Sequence, residues 1–311
     1  MADTYSYLGP AGTFTWVALG QVEVAKGAEW RPVSNVGEAL QDVISGRSTA
    51  AMIAIENSVE GGVSAAQDAL ASIPGLRIVG EYIIPVDFDL VALPGTTIDQ
   101  VSVVAAHPVA YGQSHRSLEK LLAGHEHLPA ASNVAAPESL LAGSDVAQAA
   151  LAPAGYAGTS GVLKVLADHV ADNRNAATRF VLVTAGKDIP ARTGADKTSV
   201  MVELPADAPG ALVEMLEQFA TRGVNLSLLE SRPIGDELGR YRFVVDLDGH
   251  ILDERVADAL LGLKRFSPNV VFLGSYPRAD GKPVEAPARY ADAVFIEARD
   301  WLRAIVSGEP G

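Results

Sequence analysis

One strand start and three short polar loops carry the side chains of this chain that are able to do chemistry. The strand start is Thr178-Arg179-Phe180, which runs straight into Val181-Leu182-Val183. A strand that opens this way delivers a hydroxyl and a guanidinium to the edge of a sheet, where α/β proteins keep their chemistry. The hydroxyl can donate or accept a hydrogen bond, and the guanidinium is a fixed fork of donors. Neighbours in an extended segment alternate sides, so Thr178 and Phe180 point one way and Arg179 the other. Arg179 is then placed to buttress an acidic loop residue such as Glu56. The plain alternative for Thr178 is a β-branched residue that simply suits a strand.

The three loops each follow a strand-like run and precede a helical one. Gly9-Pro10-Ala11-Gly12-Thr13-Phe14 offers backbone N–H groups at a helix start, which favour an anion. It lacks the lysine of a P-loop and the third glycine of a dinucleotide fingerprint. Glu56-Asn57-Ser58-Val59-Glu60-Gly61-Gly62 supplies an amide and a hydroxyl, and its paired glycines let the backbone approach a ligand. In His107-Pro108-Val109-Ala110-Tyr111-Gly112-Gln113, the proline fits a first helical turn. His107 is a candidate acid/base, although a lone histidine beside a proline at a helix start commonly has a structural role. Each loop also has an ordinary reading as a polar turn. No cluster of histidines or carboxylates suggests a metal. Four such features in one α/β domain point to one cleft.

These features need a scaffold, and the periodicity supplies one. Strand-like runs at 5–8, 50–55, 76–79, 101–105 and 179–183 alternate with helical patterns at 14–24, 36–44, 63–72 and 109–122. That alternation argues for α/β layers with largely parallel sheets. A polar Gly/Pro stretch at 185–194 reads as a linker. The pattern then restarts as strand 198–204, helix 209–222, strands 224–229 and 241–247, helix 254–266 and strand 270–275. This β-α-β-β-α-β order is that of a ferredoxin-like domain. From Pro277 the tail is rich in Pro and Ala, then amphipathic, with Val294, Ala298, Trp301, Leu302 and Ile305 on one stripe. Its polar face is not basic, so it reads as a helix that docks on its own protein or on a subunit.

Composition narrows the function classes. The 311 residues suffice for two domains, and the 48% apolar content allows sizeable cores. With 38 acidic against 24 basic residues the net charge is −14. Nucleic acid and anionic membranes are therefore poor partners, and any anion site must be built locally. The absence of cysteine excludes disulfides, thiolate catalysis and Cys-ligated metals. No secretory signal pattern and no bilayer-length apolar run are present, so a cytoplasmic protein is expected.

Taken together, GPAGTF (9–14), IENSVEGG (55–62), HPVAYGQ (107–113), DNRNAATRF (172–180), PGALVEML (209–216) and ESRP (230–233) resemble the monofunctional bacterial prephenate dehydratases. The resemblance extends to about residue 276. It implies a catalytic domain at 1–185, with two α/β lobes like a type-2 periplasmic binding protein and a cleft between them. A linker at 186–196, an ACT regulatory domain at 197–276 and the tail at 277–311 follow. The chain should cross between lobes near 80–85 and again before Asn175. The implied reaction is conversion of prephenate to phenylpyruvate with loss of water and carbon dioxide, without cofactor or metal. By the same resemblance Thr178 is the catalytic donor. Asn57, Ser58, Gln113, Arg179, Thr13, Phe180 and Ser132 bind substrate, its carboxylates meeting the helix starts after Gly12 and Ser132. Some relatives carry a serine before the His-Pro pair; Ala106 stands there here, so either that hydroxyl is dispensable or a neighbour such as Ser114, or a water, replaces it. Gly210, Ala211, Leu212, Val213, Glu230, Ser231, Arg232 and Pro233 are implied to bind phenylalanine as an allosteric effector. ACT domains bind such ligands between two copies, so a homodimer or homotetramer is expected. The competing reading is a non-catalytic binding or sensor protein on the same cleft, which has no need of Thr178. A secreted solute-binding protein is disfavoured by the missing signal.

Overall fold

The computed structural model describes residues 3–122, 124–143, 146–205, 208–234 and 240–308. The first elements in chain order are β1 (Thr4–Leu8), α1 (Phe14–Gly20), β2 (Glu29–Val33), α2 (Val36–Ile44), β3 (Ala50–Asn57), β4 (Gly61–Gly62), α3 (Ser64–Ser72) and β5 (Leu76–Pro85). Then come β6 (Phe88–Ala92), β7 (Val103–Ala106), α4 (Pro108–Leu121), β8 (Glu126–Pro129), α5 (Ala135–Leu141), β9 (Ala149–Pro153), α6 (Tyr156–Ser160), β10 (Lys164–Ala167) and β11 (Ala177–Ala185). The remainder is β12 (Asp196–Glu203), α7 (Ala211–Ala220), β13 (Leu226–Pro233), β14 (Tyr241–Asp248), α8 (Glu254–Phe266), β15 (Val270–Pro277) and α9 (Asp292–Ser307). Two compact units form: Met1–Asp42, Ala51–Val63 and Tyr82–Phe180 make the first, and Val43–Ala50, Ser64–Glu81 and Val181–Gly311 the second.

One sheet has the order β2-β1-β3-β11-β5, with β4 paired to β3, and another has the order β10-β6-β9-β7-β8. The chain enters the β6-containing sheet after Pro85 and leaves it after Ala167. Both points agree with the crossings expected of a two-lobed fold. The second of these sheets is buried on both faces, so its central strands β6 and β9 are buried at every residue. Leu90, Val104 and Leu151 pack with Leu118 of α4 on one side. Val91, Ala105 and Ala150 pack with Leu140 of α5 on the other.

Three expectations need correction. The second sheet is mixed and not largely parallel: β6 runs antiparallel to both β9 and β10, whereas β7 runs parallel to β8 and β9. The first helix ends at Gly20, and a separate 3-10 turn covers Glu23–Ala25. The strand expected at 76–79 continues to Pro85.

In the second unit β12-α7-β13-β14-α8-β15 closes a four-stranded antiparallel sheet of order β13-β14-β12-β15. Val200, Val202, Phe243 and Val245 form its helix-side face against Met215 and Phe219 of α7 and Val256 and Leu263 of α8. The opposite face is polar and buried. Ser199 Oγ donates to Asp246 Oδ1 at 2.5 Å and lies 2.6 Å from the Tyr276 hydroxyl. Lys197 Nζ pairs with Glu81 at 2.6 Å. Helix α9 is tied down by ions, through Arg299–Glu254 and Arg192–Asp292. Its apolar stripe is exposed, with Trp301 at 57% and Leu302 at 56%. No helix among the described residues is long and apolar enough to cross a membrane.

Candidate active site

The loop after β3 fixes the key hydrogen bond. Asn57 Oδ1 accepts from the backbone N–H groups of Val59, at 2.8 Å, and Glu60, at 3.3 Å. Two donors facing one side of the amide settle which atom is oxygen, so the nitrogen faces the other way. Asn57 Nδ2 donates to Thr178 Oγ1 at 3.0 Å. Thr178 is buried at the start of β11. Its oxygen accepts from Asn57, which leaves its hydrogen free to be donated to a ligand.

Thr178 borders a cavity of about 290 Å³ in the first unit. Thr13, Asn57, His107, Gln113, Ser132 and Phe180 line it together with Thr178. Phe180 is buried and supplies an apolar wall. Thr13 caps α1, accepting from Trp16 N at 3.4 Å. Ser132 accepts from Ala135 N at 2.9 Å at the start of α5. Both hydroxyls thus shape helix starts at the rim. An adjoining cavity of about 530 Å³ shares Glu60, Val109 and Gln113 with the first and adds Arg116 and Asp172.

Gln113 is the unsatisfied group of this site. Both atoms of its side-chain amide are enclosed without a hydrogen-bond partner. Leaving a buried amide unpaired costs about 1–3 kcal/mol, which a ligand with one donor and one acceptor recovers. Asp172 anchors the helix around it. Its backbone N–H donates to Gln113 O at 2.7 Å, and its carboxylate accepts from Arg116 N, Ser117 N and Ser117 Oγ. Burial opposes ionisation of Asp172, but these donors outweigh it and its pKa is lowered.

His107 caps α4, its Nδ1 accepting from Val109 N at 3.4 Å. The proton of the neutral ring then sits on Nε2. Burial lowers the His107 pKa, and the nearby Glu60 charge pulls weakly the other way. The structure therefore gives His107 a capping role and a place on the cavity wall together.

Comparisons with known proteins give the family. A sequence profile described as prephenate dehydratase matches residues 5–188, and one described as ACT domain matches 198–265. A prephenate dehydratase from Amycolatopsis methanolica is 41% identical over 98% of both chains. The solved prephenate dehydratase from Arthrobacter aurescens, in complex with L-Phe, is 46% identical with a TM-score of 0.92, over 98% of this chain and 99% of that one. That from Staphylococcus aureus is 26% identical with a TM-score of 0.74, over 88% and 99%. The chain belongs to the prephenate dehydratase family.

Other residues that the family resemblance marks for substrate lie outside the cavity wall. Arg179, 7% exposed, pairs with Glu56 at 3.2 Å on the side of β11 away from Thr178. Ser58 is spent on the same strand: its hydroxyl accepts from Ala177 N and its N–H donates to Ala177 O, both at 2.9 Å. Both residues hold the Asn57 loop against β11. Ala106 is fully buried, its carbonyl accepting from Ala130 N and from His127 Nε2, each at 2.9 Å. Ser114 does not take over a hydroxyl role at the cavity, since it is fully buried and lines neither space.

The ACT-type motifs of this dehydratase-family chain meet at one end of the four-stranded sheet. Arg232 lies opposite Arg242, which also lies opposite Glu203 at the end of β12. Gly210, with φ +91°, caps α7 beyond that end, a backbone setting that a side chain disfavours. Ala211 is buried, whereas Leu212 and Val213 are exposed. Strand alternation divides ESRP. Glu230 and Arg232 face α3: Gln67 Nε2 donates to Glu230 at 2.7 Å, and Arg232 reaches Asp68 at 2.6 Å and Ser64 Oγ at 2.7 Å. Asp68 also takes Arg242 at 3.1 Å. Ser231 and Pro233 are exposed on the other side, in register with the helix-side residue Phe243 and with Tyr241.

Proposed function

We propose that this chain turns prephenate into phenylpyruvate at the Thr178 cavity. The ring carboxylate departs as carbon dioxide and its bonding pair moves through the ring. The C–O bond at the far ring carbon then breaks, and hydroxide leaves as water after taking a proton. Aromatisation supplies the driving force, so the protein has to hold the substrate and ease the departure of the oxygen. Thr178 does this as a positioned donor aimed where negative charge develops. A threonine hydroxyl is too weak an acid to give up its proton, so the proton comes through solvent while the hydrogen bond stabilises the leaving oxygen. Gln113 positions the substrate with its unpaired amide. Asn57 orients Thr178, and Ser58, Arg179 and Glu56 hold that loop. The observation that carries this reading is the Asn57 Nδ2–Thr178 Oγ1 bond of 3.0 Å, which leaves the threonine hydrogen as the outward donor.

The same proposal covers regulation. The Arthrobacter aurescens relative was solved with L-Phe. Here the site for phenylalanine is Gly210–Val213 with Ser231 and Pro233, between two ACT copies of a homodimer or homotetramer. Glu230 and Arg232 stand behind that site. The domain boundaries at 186–196 and 277 and a cytoplasmic setting belong to this reading as well.

The test is to mix the protein with prephenate and follow phenylpyruvate, with and without phenylalanine. Turnover that phenylalanine alters is the expected result. Folded protein that binds prephenate without turnover would instead support the sensor reading.

A further inference from the structure

Prephenate carries two carboxylates, and the cavity around Thr178 offers them no cation among its described lining residues. Its ionisable groups are Glu60 and His107. Arg179 is committed to Glu56 at 3.2 Å. A net charge of −14 repels the dianion at long range, so the attraction must be local.

The adjoining cavity provides it. His115 faces Glu119 at 3.2 Å. Arg116 lines the same space, and its guanidinium has no hydrogen bond or ion pair among the described residues. Asp172 lines the same space and feels the Arg116 charge, but its oxygens are taken by the N–H groups of Arg116 and Ser117 and by Ser117 Oγ. Gln113 and Arg116 are three residues apart on α4, so they share a face of the helix about 4.5 Å apart along its axis. A ligand seated on Gln113 has Arg116 as its next neighbour along α4.

We propose that Arg116 binds the pyruvyl carboxylate of prephenate, the carboxylate that survives in the product. The inference rests on the dehydratase reading given above. In prephenate the hydroxyl and the two acid-bearing groups sit at opposite ends of the ring. With the hydroxyl on Thr178, the acid end belongs beyond Gln113. The choice between the two acids follows from charge. The ring carboxylate loses its charge as carbon dioxide forms, so a cation on it would stabilise the ground state more than the transition state. A cation on the pyruvyl carboxylate stabilises both alike and serves binding.

Two variants and two ligands test this. Arg116→Gln should raise KM for prephenate by roughly ten- to a hundredfold with kcat within about threefold, the pattern of lost uniform binding. It should weaken phenylpyruvate binding, measured by calorimetry, by a similar factor, and Arg116→Lys should restore part of both. Thermal unfolding of these surface variants should match the parent. An unchanged KM, or a fall in kcat alone, would overturn the proposal. A raised KM with unchanged phenylpyruvate affinity would place Arg116 on the ring carboxylate and overturn the assignment. A parent protein without turnover would sink the dehydratase reading instead, while phenylpyruvate binding would still judge Arg116.

Discussion

Thr178-Arg179-Phe180 in β11 and Glu230-Ser231-Arg232-Pro233 in β13 are both polar runs within strands, and strand alternation sorts each by side. In β11 the cavity side receives the neutral donor, and the cation goes behind it to Glu56. In β13 both charged residues go to α3, and Ser231 and Pro233 remain exposed. The charged members brace, and the small neutral members face the cavity or stay exposed. Charges suit bracing because a paired ion gains from fixed partners, whereas an unpaired one at an apolar cavity wall pays for desolvation. Arg116 departs from this pattern because it sits at an exposed mouth, where an unpaired cation keeps its water.

The division can be broken at either strand. The largest effect is expected at Thr178: Thr178→Ala should lower kcat by about a hundredfold or more, about 3 kcal/mol of barrier. Thr178→Ser, which keeps the hydroxyl and the bond from Asn57, should recover much of it and shift chemical denaturation little. Equal turnover by the alanine variant would remove Thr178 from the chemistry. Next is the brace behind it. Glu56→Ala leaves the buried Arg179 without this partner and should cost about 2 kcal/mol of unfolding free energy. Because the Asn57 loop loosens with it, kcat should also fall, and a stability loss with intact kcat would separate brace from chemistry.

At β13 the expected effects are smaller. Asp68→Ala removes the anion that holds Arg232 and Arg242, a half-exposed set worth about 1 kcal/mol after solvent screening. The response to phenylalanine should weaken while basal turnover stays, read by assay with and without the amino acid. Hydrogen bonding from Arg232 chiefly lowers the Asp68 pKa. A lowered folded value means that this contribution is complete above about pH 4 and is lost as pH falls through the folded value. The acid limb of the parent should therefore flatten in Asp68→Ala. The smallest effect belongs to His107. Burial lowers its pKa, so its contribution is complete above about pH 6.5 and fades as acid charges the ring. His107→Asn should reduce the slope of Tm against pH between about 7 and 5, and an unchanged slope would show that another group sets it.

Much of this was legible in the sequence because alternation is a local rule. The opposed directions of Thr178 and Arg179, and Glu56 as the arginine's partner, follow from period-two geometry and one nearby acid. The β-α-β-β-α-β order likewise follows from residue periods. What stayed hidden depends on distance along the chain. Asp172 meets Ser117 across 55 residues, with nothing local to announce it. Arg116 lies past the end of the quoted HPVAYGQ run, and only the neighbouring cavity marks it. Strand β9, Ala149–Pro153, reads Ala-Ala-Leu-Ala-Pro, which has little strand propensity. It is extended because it lies between β6 and β7 with all five residues buried, where sheet position outweighs residue preference. The division of ESRP was open to the same argument that divided the β11 motif, but α3 as its partner was not.

The amide of Asn57 has a further consequence, for the ageing of the protein. Direct hydrolysis of an asparagine side chain, which is slow and speeds up on heating, adds water, releases ammonia and puts oxygen in the nitrogen's place. At Asn57 the backbone N–H groups of Val59 and Glu60 would still find an oxygen, so the loop would keep its shape. The atom facing Thr178 would become an acceptor, and the threonine hydrogen would turn inward to meet it. A stored or heated sample could thus keep its fold and its melting behaviour while its donor points the wrong way.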